Sequence, residues 1–224
     1  VTLGDRVLTA VSDGRYQLTL EPGDYVLLVA APGYVAQQLH LTTRQEDVLQ
    51  ERTVALEPRR LTGVLRDETS GQPLAGASVT LGTLTATTGA DGSFALAARE
   101  SAALSIEAPG FLPQAFSAEQ VEALFDDSGV LREPLVLTLE PRMLSGRIYE
   151  AGSDKPIPDA QVSVGSVSTH TDADGRYTLA RVQPGESLAV LGSAYRPYEP
   201  TPYEGQSEQH IGLTPWQIVV YASD

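Results

Sequence analysis

The 224 residues are 42% hydrophobic and 20% charged, values of a folded globular protein of one to three domains that exclude bulk disorder. Against 15 Lys and Arg stand 29 Asp and Glu, and the net charge of −14 excludes a nucleic-acid footprint and disfavours an anionic membrane surface. No apolar run approaches the ~18 residues of a bilayer span, and the absence of Cys excludes a disulfide framework, a thiolate nucleophile and a Cys-based zinc site.

In chain order the same short elements come round three times. The first round opens with Val1-Thr2-Leu3-Gly4 and turns at Asp13-Gly14. Tyr16, Leu18 and Leu20 then alternate with polar residues, and a strand-sized apolar stretch at 25–31 leads to Pro32-Gly33-Tyr34. Residues 42–51 carry a weak helical pattern, and Leu56-Glu57-Pro58 closes the round.

The second round begins at Arg59-Arg60-Leu61-Thr62-Gly63 and passes Pro73-Leu74, Ala77 and Val79. Its Val79-Thr80-Leu81-Gly82 is identical to residues 1–4. Asp91-Gly92 with Phe94 and Leu96, then Pro109-Gly110-Phe111, repeat the earlier turns. One segment dissents: Ser117 stands as an N-cap with Gln120 three residues later, and Val121, Leu124 and Phe125 share one helical face. The pattern predicts a short helix inserted between two late strands. Its acidic residues Glu119, Glu122, Asp126 and Asp127 are expected to face solvent.

Leu139-Glu140-Pro141 closes the second round as Leu56-Glu57-Pro58 closes the first, and at the same offset of 83 the third repeats the second with Pro156-Ile157 and with Asp174-Gly175, Tyr177 and Leu179. Where the second has its helix, the third has Glu199-Pro200-Thr201-Pro202, which cannot be helical. Strands of period two separated by Asp-Gly and Pro-Gly turns predict antiparallel sandwiches rather than βαβ units.

These motifs carry a family likeness. Gly63, Val64, Pro73, Leu74, Ala77, Val79, Thr88, Asp91, Gly92, Phe94 and Leu96 resemble the carboxypeptidase regulatory-like domain. So do Gly146, Ile148, Pro156, Ile157, Ala160, Val162, Thr171, Asp174, Gly175, Tyr177, Leu179, Pro184 and Gly185. The resemblance implies an all-β chain of three tandem antiparallel transthyretin-like (Ig-like) β-sandwich domains, with the short helix inserted in the middle one. It also implies an accessory module without catalytic residues, found in tandem arrays of extracellular or cell-surface proteins. The expected boundaries are 1–58, 59–141 and 142–215, with 216–224 as a spare C-terminal strand. The sequence opens at Val1 inside a strand-like pattern without the basic region of a secretory signal, and a signal removed by processing is compatible with that.

The first unit starts at the second strand of the pattern, so it lacks a first strand. Residues 216–224 align with 59–67, which open the second unit. An unpaired sheet edge templates pairing with another chain, and a heterologous head-to-tail contact propagates into filaments. The expectation is a homopolymer joined by donor-strand complementation. Trp216, Ile218, Val219, Val220 and Tyr221 form the donor strand; Val1, Leu3, Tyr16, Leu18 and Val26 line the acceptor groove. Two other readings stay open at this stage. The ends are those of an excised fragment, or each domain ends with the strand after Leu-x-Pro and nothing is missing.

Other chemistry is thin. His40, His170 and His210 occupy non-equivalent places, and no Gly-x-Ser-x-Gly elbow accompanies them, so neither an enzyme nor a cofactor is expected. Asp172 and Asp174 before Gly175 look like part of a calcium loop, but the later ligands fail; a tight turn is the plain account. Tyr195, Tyr198 and Tyr203 interleave with Pro197, Pro200 and Pro202; a packed loop between units is the plain account, and a ligand loop for a polysaccharide or another surface protein is the alternative. That loop defines the alternative function, a surface adhesin or polysaccharide-binding stalk. There is no Asn and Lys155 is the sole Lys, so no Lys–Asn crosslink staples the chain.

Overall fold

The structure is a computed structural model that describes residues 1–4, 6–8, 14–45 and 50–217. By contacts the chain forms two units. One gathers Val1–Val64, Ser78–Ile106 and Ala115–Leu137, the other Leu65–Ala77, Glu107–Gln114 and Thr138–Asp224. Strands dominate. The first four are Thr2–Leu3 (β1), Arg6–Val7 (β2), Gly23–Val29 (β3) and Gln37–Thr43 (β4), hydrogen-bonded in the order β2-β1-β3-β4. Thr42 and Thr43 thus end a strand, so the helical expectation for 42–51 fails at its start. Alternation with Leu39 and Leu41 wins there over helical spacing, and residues 46–49 lie outside the described ones.

Next come Arg60–Asp67 (β5), Ser78–Leu81 (β6), Leu84–Thr87 (β7), Ser93–Ala97 (β8), Leu104–Glu107 (β9) and Gln114–Phe116 (β10). The helix Ala118–Glu122 (α1) and the strand Leu135–Leu139 (β11) come after them. A four-stranded sheet β10-β9-β6-β7 and a three-stranded sheet β11-β5-β8 result. α1 is short, and its start is fixed by a capping box: Ser117 Oγ accepts from Gln120 N–H (3.2 Å) while Gln120 Oε1 accepts from Ser117 N–H (2.8 Å).

The last seven strands are Met143–Glu150 (β12), Gln161–Val164 (β13), Val167–His170 (β14), Arg176–Ala180 (β15), Ser187–Leu191 (β16), Thr201–Pro202 (β17) and Ile211–Leu213 (β18). They repeat the arrangement as β14-β13-β16-β17 and β15-β12-β18. Leu144 and Ile148 of β12, Leu179 of β15 and Ile211 and Leu213 of β18 share one core with Val162, Val164, Leu188 and Val190. Both sheets contribute to it. Each such side chain, fully buried, stabilises the fold by about 1.5–3 kcal/mol.

The motif residues of this region are explained by folding. Buried Thr171 donates from Oγ1 to Ile157 O (2.7 Å) and accepts from Ala160 N–H (2.8 Å). Asp172 Oδ1 accepts from Asp174 N–H (3.0 Å) and Arg176 N–H (2.8 Å), and Gly175 takes the left-handed φ of 73° that the turn requires. The Asp-rich loop is therefore a turn held by its own backbone. Among the described residues no group of three or more His, Asp or Glu is disposed to hold a metal ion.

Candidate functional site

The three four-stranded sheets share one order, but only two of them have a three-stranded partner sheet among the described residues. β5 and β12 are the central strands of the two three-stranded sheets. Among the described residues no third such sheet accompanies β1–β4. Residues 16–20 and 51–57, which match strands flanking β5 and β12, lie in no strand. A central strand supplies hydrogen bonds to both neighbours, so without it neither neighbour has a partner.

The exposed inner face is readable from the register. Leu3 pairs with Leu27, Leu27 with Leu39, and Tyr25 with Leu41, so these side chains lie on one face. Leu27 is buried at 5% exposure, while Leu3, Tyr25, Val29, Leu39 and Leu41 are only half-buried. At the matching positions of the other two sheets, Val79, Ile106, Val162, Leu188 and Val190 are fully buried. The face is apolar and incompletely covered.

The expected acceptor residues divide. Val1 and Leu3 are half-buried, and Leu3 belongs to the inner face. Tyr16 is exposed and Leu18 half-buried, both outside any strand. Val26 is a correction: it pairs with His40 on the opposite face and is 44% exposed, because strand alternation turns Leu27 inward instead. Of the expected donor residues, Trp216 is described and 61% exposed, with Arg196 stacked 5.6 Å from its ring. Ile218, Val219, Val220 and Tyr221 lie outside the described residues.

The tyrosine loop is a second correction. Tyr203 is wholly buried in the core of the last seven strands, its hydroxyl donating to Gln206 O (2.7 Å). Tyr195 and Tyr198 pack half-buried against the same core, and Tyr195 donates to Glu150 Oε2 (2.9 Å). Burial raises the Tyr203 and Tyr195 hydroxyls above their usual range, Glu150 adding to the effect at Tyr195. His40, His170 and His210 are each exposed, and His210 Nε2 sits 3.2 Å from Glu208 Oε1.

Glu122 is exposed, as expected, and it also pairs with buried Arg59. Arg59 Nη1 and Nη2 donate to its two oxygens (2.6 and 3.0 Å), and the guanidinium lies 4.6 Å from the Phe125 ring. The Arg59 hydrogen bond holds the Glu122 carboxyl below its usual range despite partial desolvation. Sequence reasoning also missed that Ser193-Ala194-Tyr195 is the third counterpart of Pro32-Gly33-Tyr34 and Pro109-Gly110-Phe111. The aromatic residue was the only signal, because Pro and Gly are both replaced.

Comparison with known proteins agrees with the motif reading over part of the chain. Residues 60–127 match the model of the carboxypeptidase regulatory-like domain. The chain is similar to bacillopeptidase F of Bacillus subtilis (strain 168), with 29% identity over 126 residues, 53% of this chain. It spans only 9% of the length of that relative. Among solved structures it is similar to the Bacillus anthracis TIE protein, at 12% identity and a TM-score of 0.34, covering 87% of this chain and 41% of that one. It is also similar to GBS52, the minor pilin of Streptococcus agalactiae, at 9% identity and a TM-score of 0.32, covering 74% of this chain and all (100%) of that one. At such TM-scores the likeness carries no argument about function.

Proposed function

We propose that the chain is a non-catalytic structural protein of the extracellular or cell surface, built of three tandem transthyretin-like sandwiches at 1–58, 59–141 and 142–215. Copies join head to tail, residues 216–221 of one supplying the central strand to the first sheet of the next. The observation that carries this reading is the inner face of β1–β4: among the described residues it lacks the partner sheet that accompanies the other two four-stranded sheets. The sequence of 216–224 aligns with the missing strand's counterpart at 59–67.

The alignment departs from the other two copies at one residue. Val220 stands where the other two copies have Gly63 and Gly146. A Cβ at Gly63 would meet Leu135 O at 2.7 Å and the Phe94 ring at 2.8 Å; one at Gly146 would meet Gln209 O and the Tyr177 ring.

Negative-stain electron microscopy of the purified chain, with and without residues 216–224, tests this. Filaments that vanish on deletion, with the fold retained by circular dichroism, are expected. Discrete particles at every concentration would sink donation between copies and leave a spacer or binding stalk.

A further inference from the structure

Three turns share one hydrogen-bonding pattern. Tyr34 N–H donates to Ala31 O (3.1 Å), Val35 N–H to Glu57 O (2.8 Å) and Arg59 N–H to Gly33 O (2.9 Å). Phe111, Leu112 and Arg142 repeat this with Ala108 O (3.1 Å), Glu140 O (2.9 Å) and Gly110 O (2.9 Å). Tyr195, Arg196 and Trp216 repeat it again with Gly192 O (3.1 Å), Thr214 O (2.9 Å) and Ala194 O (3.2 Å).

The first two copies admit a neighbouring backbone. Gly33 and Gly110 both have φ 79°, each after a Pro, as a type II turn requires. The space of a Cβ on Gly33 is filled by Arg99 O, and that on Gly110 by Arg181 O at 2.6 Å. Arg99 and Arg181 lie just beyond β8 and β15, each in the repeat next after its turn. There Ala98 N–H donates to Arg59 O (2.7 Å) and Val182 N–H to Arg142 O (3.2 Å). Each of these two sets lies within a single unit.

The third copy differs at one residue that matters. Ala194 carries a Cβ, and its backbone is not left-handed: the non-Gly residues of positive φ among those described are Asp154, Asp159 and Arg181. Both features that let a carbonyl approach Gly33 and Gly110 are gone, while the hydrogen bonds of the turn itself remain.

We infer that the turn centred on Gly33 and Gly110 is a seat for the next repeat, and that Ala194 closes the third seat. A repeat joined after Trp216 is therefore not fixed there as the second and third repeats are at theirs. This does not rest on strand donation; it rests on the turn geometry alone.

The test replaces residues 217–224 by a second copy of 60–141, with and without Ala194→Gly, and reads rotational correlation times by 15N relaxation. The added repeat is expected to tumble independently behind Ala194 and in step with its neighbour after Ala194→Gly. Rigid attachment behind Ala194, or free tumbling after Ala194→Gly, overturns the inference. Should the added repeat fail to fold, the 224-residue chain decides. Gly110→Ala should speed amide exchange at Val182 about tenfold or more, since a left-handed Ala and a displaced carbonyl both oppose the seat. An unchanged rate would overturn the role given to the glycine.

Discussion

Arg181 holds a left-handed backbone, φ 62°, while its half-exposed guanidinium donates to the carboxylate of Asp67, a side chain only 1% exposed. The asymmetry of exposure sets the outcome of substitution. Removing Arg181 strands a buried charge; removing Asp67 leaves a guanidinium that water can reach. Arg181→Ala should cost about 1–3 kcal/mol. Arg181→Gly should cost about 1 kcal/mol less, because it also relieves the left-handed strain. Urea unfolding of the two variants checks the difference; equal losses would remove backbone strain from the account.

The same carboxyl gives an acid limit. Burial raises the Asp67 pKa, but the Ser70 and Thr69 amides and Arg181 outweigh it and hold the group below the usual Asp range. Its contribution is present above the unfolded value, about 3.9, and is lost as pH falls through the lower folded value. Asp67→Asn should therefore flatten the fall of stability below about pH 4. A variant with the parent's slope there would show that other carboxylates carry the acid transition.

At the alkaline end Tyr177 is the group to follow. Burial pushes its hydroxyl up to about 12, with the neighbouring Tyr198 and Tyr203 adding to the shift, while it donates to Gln209 O (2.8 Å). A folded value raised above the unfolded one means stability complete below about pH 10 and lost as pH rises towards the folded value. Absorbance at 295 nm should show buried tyrosines ionising together with unfolding, one fewer of them in Tyr177→Phe. Ionisation well before unfolding would contradict the burial described.

Gly146 is fixed by space rather than by φ. A Cβ there would meet Gln209 O and come within 2.9 Å of the Tyr177 ring, so Gly146→Ala should destabilise by about 1–3 kcal/mol. Gly63→Ala faces Leu135 O and Phe94 in the same way. Thermal unfolding with little change in either variant would mean that the neighbouring strands give way easily.

Alternation makes the open face separable from its back. Leu27→Glu places a charge on the inner face and should abolish filaments; Val26→Glu, on the opposite face, should leave them. Filaments formed by the Leu27 variant would show that this sheet receives nothing.

Much of this was legible in the residues themselves. The Thr-x-x-Asp-Gly turn around Thr171 and Gly175 and the capping box of Ser117 and Gln120 are local, and local hydrogen bonds write their requirements into adjacent positions. The inward or outward sense of Val26 against Leu27 was not, since both are apolar and only the register with β4 decides. Tyr203 stayed open between two readings for a related reason. An aromatic among prolines reads the same whether it faces water or a core, and the core that takes it is assembled from strands far away in sequence. The Arg59–Glu122 pair spans 63 residues, beyond any pattern of spacing.

In β12 and β18 the first and last strands of one repeat run parallel, with Ile148 opposite Ile211, Tyr149 opposite Gly212 and Glu150 opposite Leu213. Tension applied at the two ends of that repeat would pull these strands past each other along their length. Parallel hydrogen bonds are evenly spaced, so they would bear such a load together instead of parting one by one like a zipper. The repeat is thereby built to resist stretching along the direction of the chain, a property that thermal or chemical unfolding does not measure.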